Sequence, residues 1–224
     1  MDLSKSYEFL APDKVRERIH IIGCGAIGST VGELLAKAGF EKITLWDFDK
    51  VESHNIANQM FTSDDIGMFK VDALARRMTA INPDLKRGLK LEKNGWDGQT
   101  LSGYIFLCVD NIDLRRRIAS ENKDNIGVKA MFDFRMRLTD AQHFAADWSN
   151  RDMIERFLAS MKFTQEEGKA ETPVSACNIE LSFASTVFMI VAAGISNFVN
   201  FVKGKPIRKT IFVDAFDFSI LAFE

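Results

Sequence analysis

The most restrictive feature of the sequence is a glycine-rich turn placed between a strand pattern and a helix pattern. Residues 23–28 read Gly-Cys-Gly-Ala-Ile-Gly, which overlaps the end of the short apolar run Arg18–Cys24 and precedes apolar residues at helical spacing. In this context G-x-G-x-x-G favours a phosphate-binding loop. Gly23 permits the tight turn, Gly25 lets the backbone approach a phosphate, and Gly28 lets the helix pack closely. We therefore expect a strand, turn and helix at the start of a parallel sheet.

Strand and helix patterns continue to alternate over the first 135 residues. The predicted elements are strand Lys42–Asp47, a helix around Val71–Ile81 that ends before Asn82-Pro83, strand Tyr104–Val109, helix Asn111–Glu121 and strand Val128–Asp133. Parallel strands need crossover connections of this kind, and a residue before proline disfavours helix. The fold class predicted is α/β, with a Rossmann-like, doubly wound, mostly parallel sheet.

The second half of the chain follows a different pattern. It predicts strand Ala141–Trp148, helix Arg151–Met161, a polar loop over residues 162–173, a long apolar helix within residues 181–202, and strands Thr210–Asp214 and Ala215–Phe223. The last strands are expected to be antiparallel additions to the sheet. We interpret residues 1–224 as a single domain, with a nucleotide-binding half at 1–135 and an elaborated half at 136–224.

Charge and cysteine content narrow the possible environments and partners. The chain has 29 basic and 31 acidic residues, a net charge of -2, and no basic tail, which disfavours nucleic-acid binding. Three widely spaced cysteines form no CxxC pair and no disulfide framework, which favours a reducing compartment. The charged N-terminus does not resemble a secretory signal, so we expect a cytoplasmic protein.

An uncharged segment at residues 181–202 is long enough to cross a bilayer, so two interpretations must be compared. Its serine, threonine and asparagine side chains would be costly in lipid. A helix that is apolar on all sides also suits the centre of a large core. We expect a buried or partner-packed helix and no membrane.

Polar residues just beyond the glycine loop point to the ligand. Asp47 ends the second predicted strand, where a carboxylate can bind ribose hydroxyls, and this alone leaves NAD, FAD and ATP open. The segment that follows is rich in polar residues and ends in a lysine, and the candidate ligand-binding residues in it are Asp49, Asn55, Asn58, Gln59 and Lys70. Such amides and a lysine could clamp a triphosphate, with Lys70 offsetting negative charge at the α-phosphate.

Five motifs over about the first 120 residues resemble those of one family. They are IIGCGAIGS, LWDFDKVESHNIANQ, DDIGMFK, INP and CVDNIDLRRR. Together and in this order they resemble the E1-like adenylyltransferases, which include the ThiF and MoeB enzymes and the ubiquitin-activating enzymes. The joint match is more specific than the glycine loop alone.

The resemblance implies a role for each matching residue. Gly25 and Lys70 would lie on the phosphates, Asp47 near the ribose, Asn55 and Gln59 in the ATP pocket, Asp110 on magnesium, and Asn111 and Arg115 beside it. The position of Asp110 after the strand Tyr104–Val109 supports this assignment independently, because open α/β sheets bind ligands at the carboxyl ends of their strands. Magnesium is commonly held by one or two carboxylates, waters and nucleotide phosphates.

The chemistry implied by the family is attack of a carboxylate on the α-phosphate of ATP, which gives an acyl-adenylate and pyrophosphate. The carboxylate would be the C-terminus of a small ubiquitin-like protein or peptide, and the enzyme would be a homodimer. Cys177 is the candidate for a subsequent thiol step, because it precedes a predicted helix whose N-terminus could lower its pKa. Cys24 and Cys108 are interpreted as structural.

The sequence departs from the family pattern at several positions. Asn58 replaces the family arginine, an N-terminal arginine motif is not evident, and CxxC pairs are absent. Losing one donor to the transition state can cost on the order of 10² to 10³ in rate. Two alternatives therefore stay open, namely a nucleotide-binding module without turnover and an NAD or flavin oxidoreductase.

Overall fold

The fold is described from a computed structural model, which describes residues 1–170, 174 and 181–224. The parallel strands are β1 (Ile19–Ile22), β2 (Ile43–Trp46), β3 (Lys90–Glu92), β4 (Gly103–Leu107) and β5 (Val128–Met136). The antiparallel strands are β6 (Asp140–Asp147), β7 (Thr210–Asp214) and β8 (Ser219–Phe223). The α-helices of the described residues are α1 (Ala26–Lys37), α2 (Lys70–Ile81), α3 (Ile112–Glu121), α4 (Arg151–Ala159), α5 (Gln165–Ala170) and α6 (Ala184–Val202).

All these strands belong to a single sheet in the order β3-β2-β1-β4-β5-β6-β7-β8. Strands β1, β2 and β4 are buried along their whole length, as expected for parallel strands covered on both faces. The chain order reverses between β1 and β4, and such a switch point opens a crevice at the carboxyl ends of the strands. The predicted Rossmann-like sheet with antiparallel strands in the C-terminal half is confirmed.

Residues 184–202 of the apolar segment form α6, which packs on β5, β6, β7 and α1. Phe198 is fully buried, and its ring contacts those of Phe40, Tyr104, Phe106 and Phe132. Among the described residues, α6 is the one helix whose length and composition would also suit a membrane span, and half of its most apolar stretch is buried inside the fold. The segment therefore joins the core that runs through both halves of the chain.

Two predictions about the second half need correction. Residues 165–170 of the predicted loop form helix α5, because Thr164 and Glu167 exchange hydrogen bonds in a capping box that begins the helix. The last strand begins at Ser219 rather than Ala215, because the chain turns through Phe218 at a φ of 54°. Strand β3 was missed, since its three residues form a short and largely exposed edge.

Candidate active site at the carboxyl ends of the parallel strands

The three glycines of the loop differ in what surrounds them. Gly23 has a φ of 94°, and a Cβ there would lie 2.7 Å from the backbone of Cys108. At Gly28 a Cβ would lie 1.8 Å from the carbonyl oxygen of Gly23, so helix α1 could not approach the loop. A Cβ on Gly25 would meet nothing within 4 Å. The first and third glycines are therefore needed for packing, while the second faces open space.

That open space belongs to a cleft of about 1370 Å³ beyond the ends of β1, β2 and β4. The predicted site residues that line it are Gly23, Gly25, Asp47, Asp49, Asn55, Asn58, Gln59, Lys70, Asp110, Asn111 and Arg115. Among the predicted site residues that the structure describes, Gly28 alone does not line the cleft, and it packs against the backbone of Gly23. The fold thus brings residues from well-separated parts of the sequence to one place.

Asp47 connects the glycine loop to the segment after β2. Its Oδ2 accepts a hydrogen bond from the backbone amide of Cys24 at 2.6 Å, and its Oδ1 accepts one from the amide of Asp49 at 2.8 Å. Burial raises the pKa of the Asp47 carboxyl, whereas these amides and the nearby Lys70 cation act to lower it. Because a carboxylate has about four lone pairs, these two bonds leave Asp47 able to accept more.

Lys70 is the first residue of α2 and supplies a buried cation to the cleft. Its Nζ lies 3.0 Å from Oδ2 of Asp49, and its amide donates to the Asp49 carbonyl at 2.9 Å. The side chain of Lys70 is 11% exposed, whereas that of Asp49 is 53% exposed. The lysine is therefore oriented by Asp49 while the carboxylate itself is largely solvated.

The amide side chains between Asp49 and Lys70 are held differently. Asn55 is buried and its Oδ1 accepts from the amide of Glu52 at 2.9 Å, which fixes the turn. Asn58 donates a hydrogen bond to Oγ of Ser182, just before α6. The buried Oε1 of Gln59 has no hydrogen-bond partner among the described residues. Buried polar atoms are seldom left unpaired, and this oxygen keeps the capacity to accept a hydrogen bond from a ligand or a water.

Asp110 lies at the turn from β4 to α3, and the surrounding backbone is tightly held. Asn111 caps α3 by accepting from the amide of Leu114 at 2.9 Å. The buried Arg115 donates from Nε to the carbonyl of Val109 at 2.6 Å and from Nη1 to Asp133 at 2.7 Å. The Asp110 carboxylate is exposed and makes no ion pair with any described residue. Arg115 thus holds the turn between β4 and α3 through its backbone, and the Asp110 carboxylate is available to bind a cation.

The lining of the cleft fits ATP with magnesium. Open space above Gly25 can admit phosphate oxygens to loop amides, the unpaired Gln59 oxygen can accept a donor, and Lys70 supplies positive charge. No group of three or more metal-binding side chains occurs in the described part of the chain. Magnesium would therefore rest on Asp110 together with phosphate oxygens and waters, as it commonly does with nucleotides.

Comparison with known proteins identifies the family. The model of the ThiF family matches residues 13–217, which include the glycine loop, the cleft and all the described strands up to β7. The chain belongs to the ThiF family. These proteins are the E1-like adenylyltransferases that the sequence motifs resemble.

The chain is only moderately similar in sequence to individual relatives and solved structures. The chain is 33% identical over 135 residues to ubiquitin-like modifier-activating enzyme 5 of Drosophila willistoni, covering 53% of this chain but only 32% of that protein. Among solved structures, PaaA matches with a TM-score of 0.73 at 18% identity, over 100% of this chain and 78% of that one. E. coli MccB, solved with ATP, matches with a TM-score of 0.68 at 17% identity, over 96% of this chain and 65% of that one. The structural matches confirm the fold.

The outcome for the three predicted cysteines differs, and one residue of the cleft was not predicted. Cys24 and Cys108 are buried, and burial raises the pKa of both thiols, so neither forms a reactive thiolate. Cys177 lies outside the described residues, and its thiol role stays a prediction. Gln165 of α5 was missed, although it lines the cleft and bonds to the turn after Asp110. The capping box at Thr164 was the signal that could have placed its helix.

Proposed function

We propose that the protein uses ATP and magnesium to adenylate a carboxylate at the C-terminus of a small ubiquitin-like protein or peptide. The products are an acyl-adenylate and pyrophosphate. The observation that carries the proposal is the joint placement of Gly25, Lys70 and Asp110 around one cleft. A loop for phosphate, a buried cation and an exposed carboxylate are the groups that transfer at a phosphate requires.

In the proposed reaction, one oxygen of the substrate carboxylate attacks the α-phosphorus and forms an acyl–phosphate bond. The bond from the α-phosphorus to the oxygen bridging to the β-phosphorus breaks, and pyrophosphate leaves with that electron pair. Amides of the loop around Gly25 orient the phosphates, and the Lys70 ammonium offsets the growing negative charge. Magnesium, held by Asp110 and phosphate oxygens, would neutralise the charge of the leaving pyrophosphate.

The proposed substrate class is supported by what the relatives bind. E. coli MccB has been solved together with MccA and an ATP analogue, and the curated relatives activate a ubiquitin-like modifier. For this chain, a C-terminal carboxylate of a protein or peptide is the corresponding proposal. A subsequent thiol step would use Cys177.

A nucleotide-binding module without turnover is the second candidate, and one observation favours it. Asn58 stands where the family arginine would contribute charge, and its amide is engaged by Ser182. Such a module would bind ATP tightly and release no pyrophosphate. An NAD or flavin oxidoreductase is less well supported, because it gives no role to Lys70 or Asp110.

We further propose a cytoplasmic homodimer that binds neither membrane nor nucleic acid. The burial of half of the most apolar stretch of α6 supports the expectation of no membrane binding, and the net charge of -2 supports that of no nucleic-acid binding. Light scattering of the purified protein and fractionation of cells would test them. A monomer, or recovery from membranes, would contradict the respective expectation.

ATP–pyrophosphate exchange tests the proposed activity. Exchange by the wild type with candidate C-terminal peptides should fall by at least about 100-fold in Lys70→Ala and in Asp110→Ala. The first change removes the cation proposed to face the reacting phosphates, and the second removes the carboxylate proposed to hold magnesium. Lys93→Ala is the matched control, since Lys93 also pairs with an aspartate but lies outside the cleft. Full exchange in both cleft variants would contradict the residue roles, and ATP binding without exchange by the wild type would favour the module.

A further inference from the structure

Helix α5 packs against the turn that carries Asp110. Thr164 and Glu167 cap its first turn, with the Thr164 amide donating to Glu167 at 2.7 Å and the Glu167 amide donating to the Thr164 hydroxyl at 3.1 Å. Such a reciprocal cap satisfies two amides that would otherwise lack partners at the helix start. The short helix therefore has a defined beginning, and its first residue, Gln165, points into the cleft.

The chain leading into α5 is fixed from two sides. Arg116 of α3 donates from Nε to the carbonyl of Met161 at 2.9 Å and from Nη2 to the carbonyl of Phe163 at 2.6 Å. Arg135 of β5 donates from Nη1 to the carbonyl of Ser160 at 2.7 Å. Charged donors make strong hydrogen bonds, so these contacts hold the approach to α5 against the sheet and α3.

The side chain of Gln165 then bridges both sides of Asn111. Its Oε1 accepts from the amide of Ile112 at 2.8 Å, and its Nε2 lies 3.5 Å from the carbonyl of Asp110, a long contact. The amide of Ile112 is one of the first helix amides, which have no partner within their own helix. On the other side of Asp110, Arg115 holds the carbonyl of Val109. The peptide groups flanking Asp110 are thus both held by side chains.

We propose that Gln165 is a positioning residue that directs the Asp110 carboxylate towards the magnesium–nucleotide complex. This inference rests on the proposed function. A metal ligand works best when the groups around it fix its direction, and the loss of such groups typically weakens metal binding about 10 to 100-fold. Glutamine suits the position because its amide both accepts from Ile112 and faces the Asp110 carbonyl with a donor.

The first test measures how magnesium affects ATP binding. Calorimetry of the full chain gives the magnesium concentration at which ATP binding is half-maximal, together with ATP affinity in EDTA. In Gln165→Met the magnesium requirement should rise about 10-fold, while affinity in EDTA and the unfolding midpoint stay near those of the wild type. Glu166→Met is the matched control, because Glu166 is exposed on the same helix and does not line the cleft.

The second test needs no nucleotide. Hydrogen exchange of the Ile112 amide should accelerate in Gln165→Met, whereas the Leu114 amide, which Asn111 caps, should keep its wild-type rate. Gln165→Ala should behave in the same way and replaces the methionine variant if that variant unfolds. Two results would overturn the role of Gln165, provided that the wild type binds ATP. One is an Ile112 exchange rate in the variant equal to that of the wild type, and the other is a magnesium requirement in the variant equal to that of the wild type. A wild type that fails to bind ATP would instead overturn the proposed function.

Discussion

Adding one methyl group at two glycines of the same loop should separate ligand binding from packing. At Gly28 the new Cβ would lie 1.8 Å from the Gly23 carbonyl oxygen, so α1 must move away from the loop. Overpacking of this kind costs about 1 to 3 kcal/mol or more. At Gly25, which precedes α1 as its N-cap, the Cβ meets no atom within 4 Å, and the cost of alanine at that position is within about 1 kcal/mol.

The order of the two variants should be reversed for ATP binding. Gly25→Ala, which barely changes stability, should weaken ATP binding more than Gly28→Ala does. The Gly25→Ala methyl group would occupy the open space through which phosphate oxygens reach the loop amides. Losing one charge-assisted hydrogen bond, at about 1.5 to 3 kcal/mol, weakens binding about 10 to 100-fold. Urea unfolding and ATP calorimetry on both variants make the comparison. Wild-type ATP affinity in Gly25→Ala, or equal destabilisation of the two variants, would refute the reasoning.

Three further changes have definite expected outcomes. Burial lowers the pKa of His143 to about 4, so below pH 6.5 the unfolded chain binds a proton that the folded chain does not. The free energy of unfolding should therefore fall by about 2 kcal/mol from this histidine between pH 7 and pH 5 in urea titrations, and equal values would contradict it. Asp133→Asn should destabilise the fold by about 3 to 5 kcal/mol, because it leaves Arg115 and Arg135 without their buried counter-charge; an unchanged urea midpoint would oppose this. Asn58→Arg should raise pyrophosphate exchange by up to about 100-fold by restoring a charged donor, whereas a rate at or below that of the wild type would argue against a missing arginine.

The first half of the fold could be predicted because its signals are local. The glycine loop specifies a turn between strand and helix, and apolar runs of strand length identify β1, β2 and β4. Strand β3 has no such signal, since its three residues are held at the sheet edge by pairing with β2 rather than by burial. Helix α5 was hidden by polar composition, although the capping box at Thr164 and Glu167 was present in the sequence.

The site could be predicted only where a residue stands in a motif. Lys70 and Asp110 belong to such motifs, and both line the cleft. The pairing of Lys70 with Asp49 and the amide bond from Cys24 to Asp47 depend on how separate segments meet in space. Gln165 is 53 residues from Ile112 in sequence, so their hydrogen bond leaves no local pattern.

Calorimetry of ATP with magnesium on the purified chain, with NAD under the same conditions, tests the central claim most directly. The cleft around Gly25, Lys70 and Asp110 predicts that ATP binds and that magnesium strengthens its binding, whereas NAD binds weakly or not at all. Binding of NAD without binding of ATP would contradict the account, because the buried lysine and the exposed carboxylate would then serve no triphosphate.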